Sequence, residues 1–253
     1  MSCPHRGEPV PASHFRGGAC CPPFTVPSFS QVAYLPARGP FATGGGTESR
    51  LKNSRPLSWF KPGRKITAKD SMAVEAGMRT TITYELTARP GRDFHPEFKP
   101  ALSPAKMLEL GVFSGKYLND CTAEFPREWF EQAIKADKLR PGAPDPEVNL
   151  FKVKSRKSLQ YWLEKGWIPA ADGDQDPRGW FQWYCRYWIG RRMPDVDAAQ
   201  IKRWKAYVRH AGQIKASYKK MKASEVPKTR KEKLTHRPRQ RQGLLQWAHD
   251  PWV

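Results

Sequence analysis

One aromatic block constrains this chain more than any other part of its sequence. Residues 180–192 read WFQWYCRYWIGRR, and the first nine of them include three Trp and two Tyr. Each aromatic side chain buries about 150–250 Å² when it enters a protein core. Because so much apolar surface is costly to leave in water, the block predicts a central helix that is buried on almost all sides.

Helix start and stop signals on both sides of this block favour an all-α fold. Ser103-Pro104 and Asp176-Pro177 are typical helix starts, and Gly111 and Gly190 are typical helix ends. We predict further helix starts at Pro126, Ser155, Asp195 and Pro238. Together these signals predict a single compact domain of about five to seven helices, with one short strand near residues 80–87.

The helix after Asp195 is predicted to be the longest. Its apolar residues recur every three or four positions and form one stripe: Ile201, Trp204, Val208, Ala211, Ile214, Tyr218 and Met221. Residues 222–235 are basic and contain a proline, so we predict a connector there before the last helix.

The first part of the chain differs in composition from the rest. Residues 1–77 hold ten of the 24 prolines, so we predict a disordered or extended arm over 1–96 and a helical basic domain over 97–253. Residues 1–69 contain only two acids, which is also typical of an organellar transit segment. A mis-extended start is the other interpretation, with Met72 or Met78 as the true first residue.

The charge of the chain is strongly positive and is concentrated near its end. The formal net charge is +20, and residues 201–253 hold fifteen Lys and Arg against three acids. Clustered cations of this kind are typical of proteins that bind DNA or RNA. We therefore predict a nucleic-acid-binding protein that contacts phosphates, with no cofactor and with an undetermined oligomeric state.

Three groups of residues are the candidate contacts for nucleic acid. The polar row of the aromatic helix and the arginines after it are Arg178, Gln182, Arg186, Arg191 and Arg192. The long helix supplies Lys202, Arg203, Lys205, Arg209, Lys215, Lys219 and Lys220, with no acid between Asp197 and Glu225. The last segment supplies Arg237, Arg239 and Arg241. A structural interpretation competes for the first group, in which Arg186 pairs with a core carboxylate such as Asp120 or Glu124.

An enzyme acting on nucleic acid is the alternative function, with an aromatic pocket for a flipped base. Residues 115–121 hold Lys, Tyr, Asp and Cys, and Lys116 or Asp120 would be the catalytic group. The same stretch is equally typical of a capped turn, and its glycines match no phosphate-binding loop. No catalytic motif is recognisable, so the sequence leaves the question of catalysis open.

Metal binding is not predicted. Residues 172–176 imitate the start of a calcium loop, but Pro177 and Trp183 stand where that loop requires Gly and Glu. The five cysteines are scattered and lack the spacing of a zinc site.

The cysteine usage also favours a reducing compartment inside the cell, either the cytoplasm or the nucleoid or nucleus. Organellar import is the alternative if the N-terminal arm is part of the protein. No apolar run is long enough for a transmembrane helix. A third interpretation of the basic face is docking to an acidic protein or an anionic membrane.

Two blocks resemble a family of hypothetical proteins. They are MLELGVFSGKY at residues 107–117 and the stretch from Asp176 to Arg192, supported by RQRQ at 239–242 and LLQW at 244–247. The resemblance covers about residues 97–250 and implies one domain in that range. It implies no activity and no functional residue.

Overall fold

The computed structural model describes residues 51, 53–69, 81–119, 121–139, 142–154, 161 and 176–253. This part of the chain is mostly helical, as predicted, and it also holds one small sheet of two antiparallel strands. The strands are β1, Lys65–Lys69, and β2, Thr81–Glu85. The helices are α1, Pro104–Glu109; α2, Arg127–Lys135; α3, Trp180–Ile189; α4, Pro194–Tyr207; α5, Arg209–Tyr218; α6, Arg230–Thr235; and α7, Pro238–Gln246.

Helix α3 is the centre of the core, as the aromatic block predicts. Nine of its ten residues are buried, and Trp188 is half-buried. Phe98 packs edge-to-face against rings of α3 and α4, with its centroid 5.4 Å from that of Trp183 and 4.9 Å from that of Trp204. Such edge-to-face pairs add to the stability that burial already provides. The central helix therefore fixes the positions of the surrounding elements.

Both ends of α3 are defined by glycine. Gly179, with φ +85°, precedes the helix, and Gly190, with φ +119°, ends it. The Gly190 carbonyl accepts hydrogen bonds from the backbone N–H groups of Thr87 and Ala88, at 2.9 and 3.1 Å. The segment after β2 is thereby held on the C-terminal end of the aromatic helix.

Gly190→Ala is expected to lower the free energy of unfolding by about 2 kcal/mol or more. An added β-carbon would lie 2.0 Å from the Ala88 carbonyl oxygen, in a backbone conformation that L side chains rarely adopt. Urea unfolding of the full chain measures the loss. Gly212→Ala is the matched control, because open space surrounds that exposed helical glycine. Equal stability of the two variants would contradict this account of the helix end.

The predicted strand near residues 80–87 is confirmed as β2, but its partner was not predicted. Strand β1 lies in the segment that the sequence assigns to the arm, and it pairs in register from Lys65 opposite Glu85 to Lys69 opposite Thr81. The hairpin and its flanks contribute buried side chains to the main core, among them Phe60, Ile66 and Leu86. The core therefore includes residues on the N-terminal side of the predicted boundary at 97.

The predicted longest helix is two helices that meet at Val208. This residue keeps right-handed helical dihedrals, φ −56° and ψ −21°, but its N–H donates to Lys205 O in a tighter i−3 bond. Val208 is 54% exposed, so it does not belong to the buried apolar stripe in which the sequence places it. The predicted cap by Asp195 is also wrong, since the Asp197 carboxylate accepts from Met193 N at 2.8 Å.

Helices α1, α2 and α7 begin close to their predicted starts, and Ser103 Oγ accepts from Lys106 N as a cap. Helix α6 occupies only the last six residues, 230–235, of the predicted connector over 222–235, and a capping box of Thr229 and Glu232 fixes its start. Most of the predicted helix from Ser155 and most of the imitated calcium loop fall in residues 155–160 and 162–175, which lie outside the described residues. None of the helices that the structure describes is long and apolar enough to cross a membrane.

Candidate nucleic-acid interface

The structure divides the predicted contact residues by exposure. The exposed ones are Lys202, Lys205, Arg209, Lys215, Lys219, Lys220, Arg237 and Arg239. The half-buried ones are Arg178, Arg192 and Arg203. The buried ones are Gln182, Arg186, Arg191 and Arg241, each with 1% or less of its surface exposed. The last four lie inside the protein rather than on a cationic face, which corrects the sequence-based placement.

Arg186 and Arg191 belong to a buried ion network with two carboxylates. Arg186 binds Glu124 through two bonds, from Nε to Oε1 at 2.5 Å and from Nη2 to Oε2 at 3.1 Å. Asp176 accepts from both arginines, from Arg186 Nη1 at 3.1 Å and Arg191 Nη2 at 2.6 Å. The network has two charges of each sign, so it is electrically balanced in the core. This confirms the structural interpretation of Arg186, with Glu124 as one partner.

Tyr84 of β2 joins the network to the hairpin. Its hydroxyl donates to Glu124 Oε1 at 2.7 Å, and both guanidinium groups lie over its ring, at 5.5 and 5.6 Å from the centroid. Burial, followed by the Glu124 charge, raises the pKa of Tyr84 well above its usual value, so the hydroxyl stays protonated. Burial alone would lower the pKa of Arg186, but Glu124 and Asp176 raise it well above its usual value.

Arg241 and Arg192 also have structural roles. Arg241 donates to His236 O at 2.8 Å, to Pro251 O at 2.5 Å and to the Tyr218 hydroxyl, and so joins α5, α7 and the C-terminal turn. Arg192 lies over the Tyr187 ring at 3.9 Å and donates to backbone carbonyls of α3 and of the loop after β2. Neither arginine belongs to the exposed cationic surface.

Exposed cations lie along α4, along α5 and in the turn that follows α5. Successive helical residues are rotated by about 100°, and Val208 carries the helical register from one helix to the next. On that register Lys202, Lys205, Arg209 and Lys220 fall within about 60° of arc. Lys219 is exposed beside Lys220, and we call these five exposed cations the cationic stripe: Lys202, Lys205, Arg209, Lys219 and Lys220.

Small residues occupy the middle of the cationic stripe. Gly212 and Ala216 are exposed there, and no atom lies within 4 Å of the place where a β-carbon of Gly212 would stand. A partner can therefore approach the helix backbone closely between the cations. An extended chain of phosphates fits such a surface, because the phosphate chain is narrow and carries negative charge along its whole length.

Few acids neutralise the cationic stripe. Lys205 Nζ pairs with Glu97 at 2.8 Å, and both side chains are about half exposed. Lys202, Lys219 and Lys220 have no carboxylate partner within the described parts of the chain. Glu232, an acid of the same C-terminal region, accepts backbone N–H groups at the start of α6 instead. The stripe thus keeps most of its positive charge.

The enzyme-like stretch at residues 115–121 is involved in packing. The Tyr117 ring lies 4.5 Å from Phe113 and 5.4 Å from Phe181, and its hydroxyl donates to Arg178 O. Cys121 is buried, and its Sγ donates to Leu118 O at 3.7 Å. Asp120 lies outside the described residues, so its catalytic role stays a prediction.

A serine–histidine pair lies beside a cavity of about 630 Å³ between α6 and the turn before it. Ser217 Oγ is 2.6 Å from Ile214 O, to which it donates, and 2.9 Å from His236 Nε2. Because the hydroxyl proton is used by Ile214, the histidine donates to the serine. For His236 to act as a general base it would have to accept the Ser217 hydroxyl proton, and that proton is donated to Ile214 O. The contact between the two side chains is therefore structural.

The sequence did not predict that Asp176 and Tyr84 belong to a buried ion network, or that Arg55 and Arg64 lie over the ring of Trp59. Asp176 was interpreted as a helix start, although its carboxylate binds two buried arginines. The sequence feature that indicates such a network is the position of Arg186 within an almost wholly apolar helix, because a buried arginine needs a buried acid as its partner. That rule names the kind of partner and leaves its position in the chain open.

Comparisons with protein-family models, with curated proteins and with solved structures give no match to this chain. The described residues thus form two separate charged groups: a buried, balanced ion network inside the fold and an exposed cationic stripe outside it.

Proposed function

We propose that this protein binds nucleic acid, mainly through phosphate contacts of the cationic stripe. The observation that carries the proposal is the exposure of Lys202 on α4 and of Lys219 and Lys220 just after α5, each without a carboxylate partner among the described residues. A lysine ammonium is a compact point charge that binds phosphate without a fixed geometry. A surface made largely of such groups favours contacts with the backbone over reading of the base sequence.

The arrangement of the C-terminal helices supports the proposal. Helices α5 and α7 pack through Ile214 and Leu244, and Arg241 joins their ends. The cations on the outer side of α5 are therefore carried by a packed helix. Exposed Arg237 and Arg239 at the start of α7 extend the positive surface of this region. A partner of this kind would place the protein where nucleic acid occurs, in the cytoplasm, nucleoid or nucleus.

The test is binding of the full chain to labelled single-stranded and double-stranded DNA and RNA over a series of salt concentrations. We expect submicromolar affinity at low salt that falls steeply as salt rises, because bound phosphates release counterions. Vesicles of anionic lipid serve as the comparison partner. Tight binding to the vesicles together with salt-independent or absent binding to all four nucleic acids would overturn the proposal.

A further inference from the structure

A second exposed cationic surface surrounds Trp59, just before β1. The Arg55 guanidinium carbon lies 3.7 Å from the centroid of the Trp59 ring, and that of Arg64 lies 5.3 Å away. Both arginines are exposed, and Trp59 is half-buried. We call these three residues the Arg–Trp cluster. None of them belongs to the cationic stripe.

Contacts with α2 and with the core fix the position of the Arg–Trp cluster. The backbone N–H of Leu57 donates to both carboxylate oxygens of Glu128 at 3.0 Å, and Arg127 of α2 donates to Ser54 O at 2.8 Å. The Trp59 ring packs edge-on against buried Phe60, with centroids 5.2 Å apart. The indole is therefore a fixed support, anchored to α2 and to the core.

Stacking on an indole leaves the binding groups of a guanidinium available. The contact between the Arg55 guanidinium carbon and the Trp59 ring, at 3.7 Å, uses no hydrogen bond and so leaves the N–H donors of the guanidinium for other partners. Across the described residues, neither Arg55 nor Arg64 has an ion-pair partner for its guanidinium group. The edge of each group can therefore bind phosphate, and the outer face of Arg55 can receive a flat ring.

The surroundings of the Arg–Trp cluster are positive. Residues 53–69 contain five Lys and Arg and no acid, and Lys61 and Lys65 are exposed. Two described acids lie near the cluster: Glu85, which stands opposite Lys65 in the strand register, and Glu128, whose carboxylate accepts from the Leu57 N–H. The cations outnumber these acids, so the surface favours an anionic ligand.

We propose that the Arg–Trp cluster is a second contact site of this protein, specific for single-stranded nucleic acid. A base stacks on the outer face of Arg55, whose inner face lies on Trp59, and the adjoining phosphates bind Arg64 and the nearby lysines. Single strands are the favoured partner, because their bases are free to stack on guanidinium planes, whereas duplex bases already stack on each other. This inference rests on the proposed function, which gives nucleic acid as the class of partner. The residues that it assigns to binding are different from those of the cationic stripe.

The double variant Arg55→Gln/Arg64→Gln tests the charges of this site. We expect its affinity for a short labelled single strand to fall about tenfold or more at moderate salt, and the slope of log K against log salt to become shallower by about 1.4. Arg89→Gln/Arg92→Gln is the matched control, because both of its arginines are exposed and the change in charge is the same. The control is expected to bind like the wild type.

Trp59→Leu tests the stacking separately from the charge. It keeps both arginines, so we expect an unchanged salt slope, an affinity for single strands about threefold to tenfold weaker, and little change for a duplex of the same length. If Trp59→Leu fails to fold in a thermal unfolding scan, Trp59→Phe replaces it, with a smaller ring and a smaller loss. A parallel loss for single strand and duplex would overturn the assignment to single strands.

The variants separate this inference from the proposed function. If Arg55→Gln/Arg64→Gln binds single strands like the wild type while removal of the stripe lysines abolishes binding, the Arg–Trp cluster is no contact site and the function stands. If the stripe variant binds normally and the arginine variant does not, the cluster is a contact and the stripe is not. Loss of binding to anionic vesicles alone would assign the cluster to lipid headgroups and overturn the inference.

Discussion

Arg186→Met is expected to lower the free energy of unfolding by about 3–5 kcal/mol, which is a large share of the stability of an ordinary domain. The variant leaves Glu124 and Asp176 buried with Arg191 as their remaining cation in the network. Two carboxylates and one guanidinium then share a site that excludes water, so one negative charge is uncompensated. Urea unfolding of the full chain, followed by circular dichroism, measures the loss.

Two further variants show whether charge balance is the cause. Arg92→Met removes an exposed arginine and is expected to change stability by less than about 0.5 kcal/mol. Glu124→Gln/Arg186→Met restores the balance of the network, so we expect the double variant to be more stable than Arg186→Met alone. A double variant that is less stable than Arg186→Met would show that lost packing, rather than an unpaired charge, dominates the effect.

Removal of three stripe lysines, in Lys202→Gln/Lys219→Gln/Lys220→Gln, is expected to weaken binding to duplex DNA by roughly 100-fold or more at moderate salt. Each ammonium that neutralises a phosphate releases a condensed counterion, and that release is lost with the charge. The three side chains are exposed, so we expect the unfolding transition to stay unchanged. Fluorescence anisotropy with a labelled duplex gives the affinity.

The matched control is Lys99→Gln/Lys106→Gln/Lys135→Gln. It removes the same charge from exposed positions outside the stripe, two of them on α1 and α2. Binding by this control should stay within about threefold of the wild type, since long-range attraction between exposed charges is screened by salt. If both triple variants lose affinity equally, the net charge of the protein drives binding and the stripe has no special role.

Local chemistry explains what the sequence predicted well. A serine cap followed by proline fixes the start of α1, and a glycine that adopts positive φ fixes the end of α3 at Gly190. The aromatic block could only be buried, whatever its neighbours, because its apolar surface is so large. These features depend on residues that are close together in the chain.

Long-range contacts explain what the sequence could not predict. Strand β1 forms because β2 offers it a partner and because Ile66 enters a core built mainly by distant helices. Arg191 and Arg241 look like surface cations in the sequence, yet an acid and three backbone or side-chain acceptors hold them inside. Whether a cation is buried depends on the position of its acceptors in three dimensions, and the local pattern does not contain that information.

The slope of log K against log salt for duplex DNA, measured for the wild type and the stripe variant together, tests the central claim most directly. We predict a clearly negative slope for the wild type that becomes shallower by about 2.7 in Lys202→Gln/Lys219→Gln/Lys220→Gln, which corresponds to three lost phosphate contacts. Identical slopes for the two proteins, or a slope near zero for the wild type, would contradict phosphate binding by the cationic stripe.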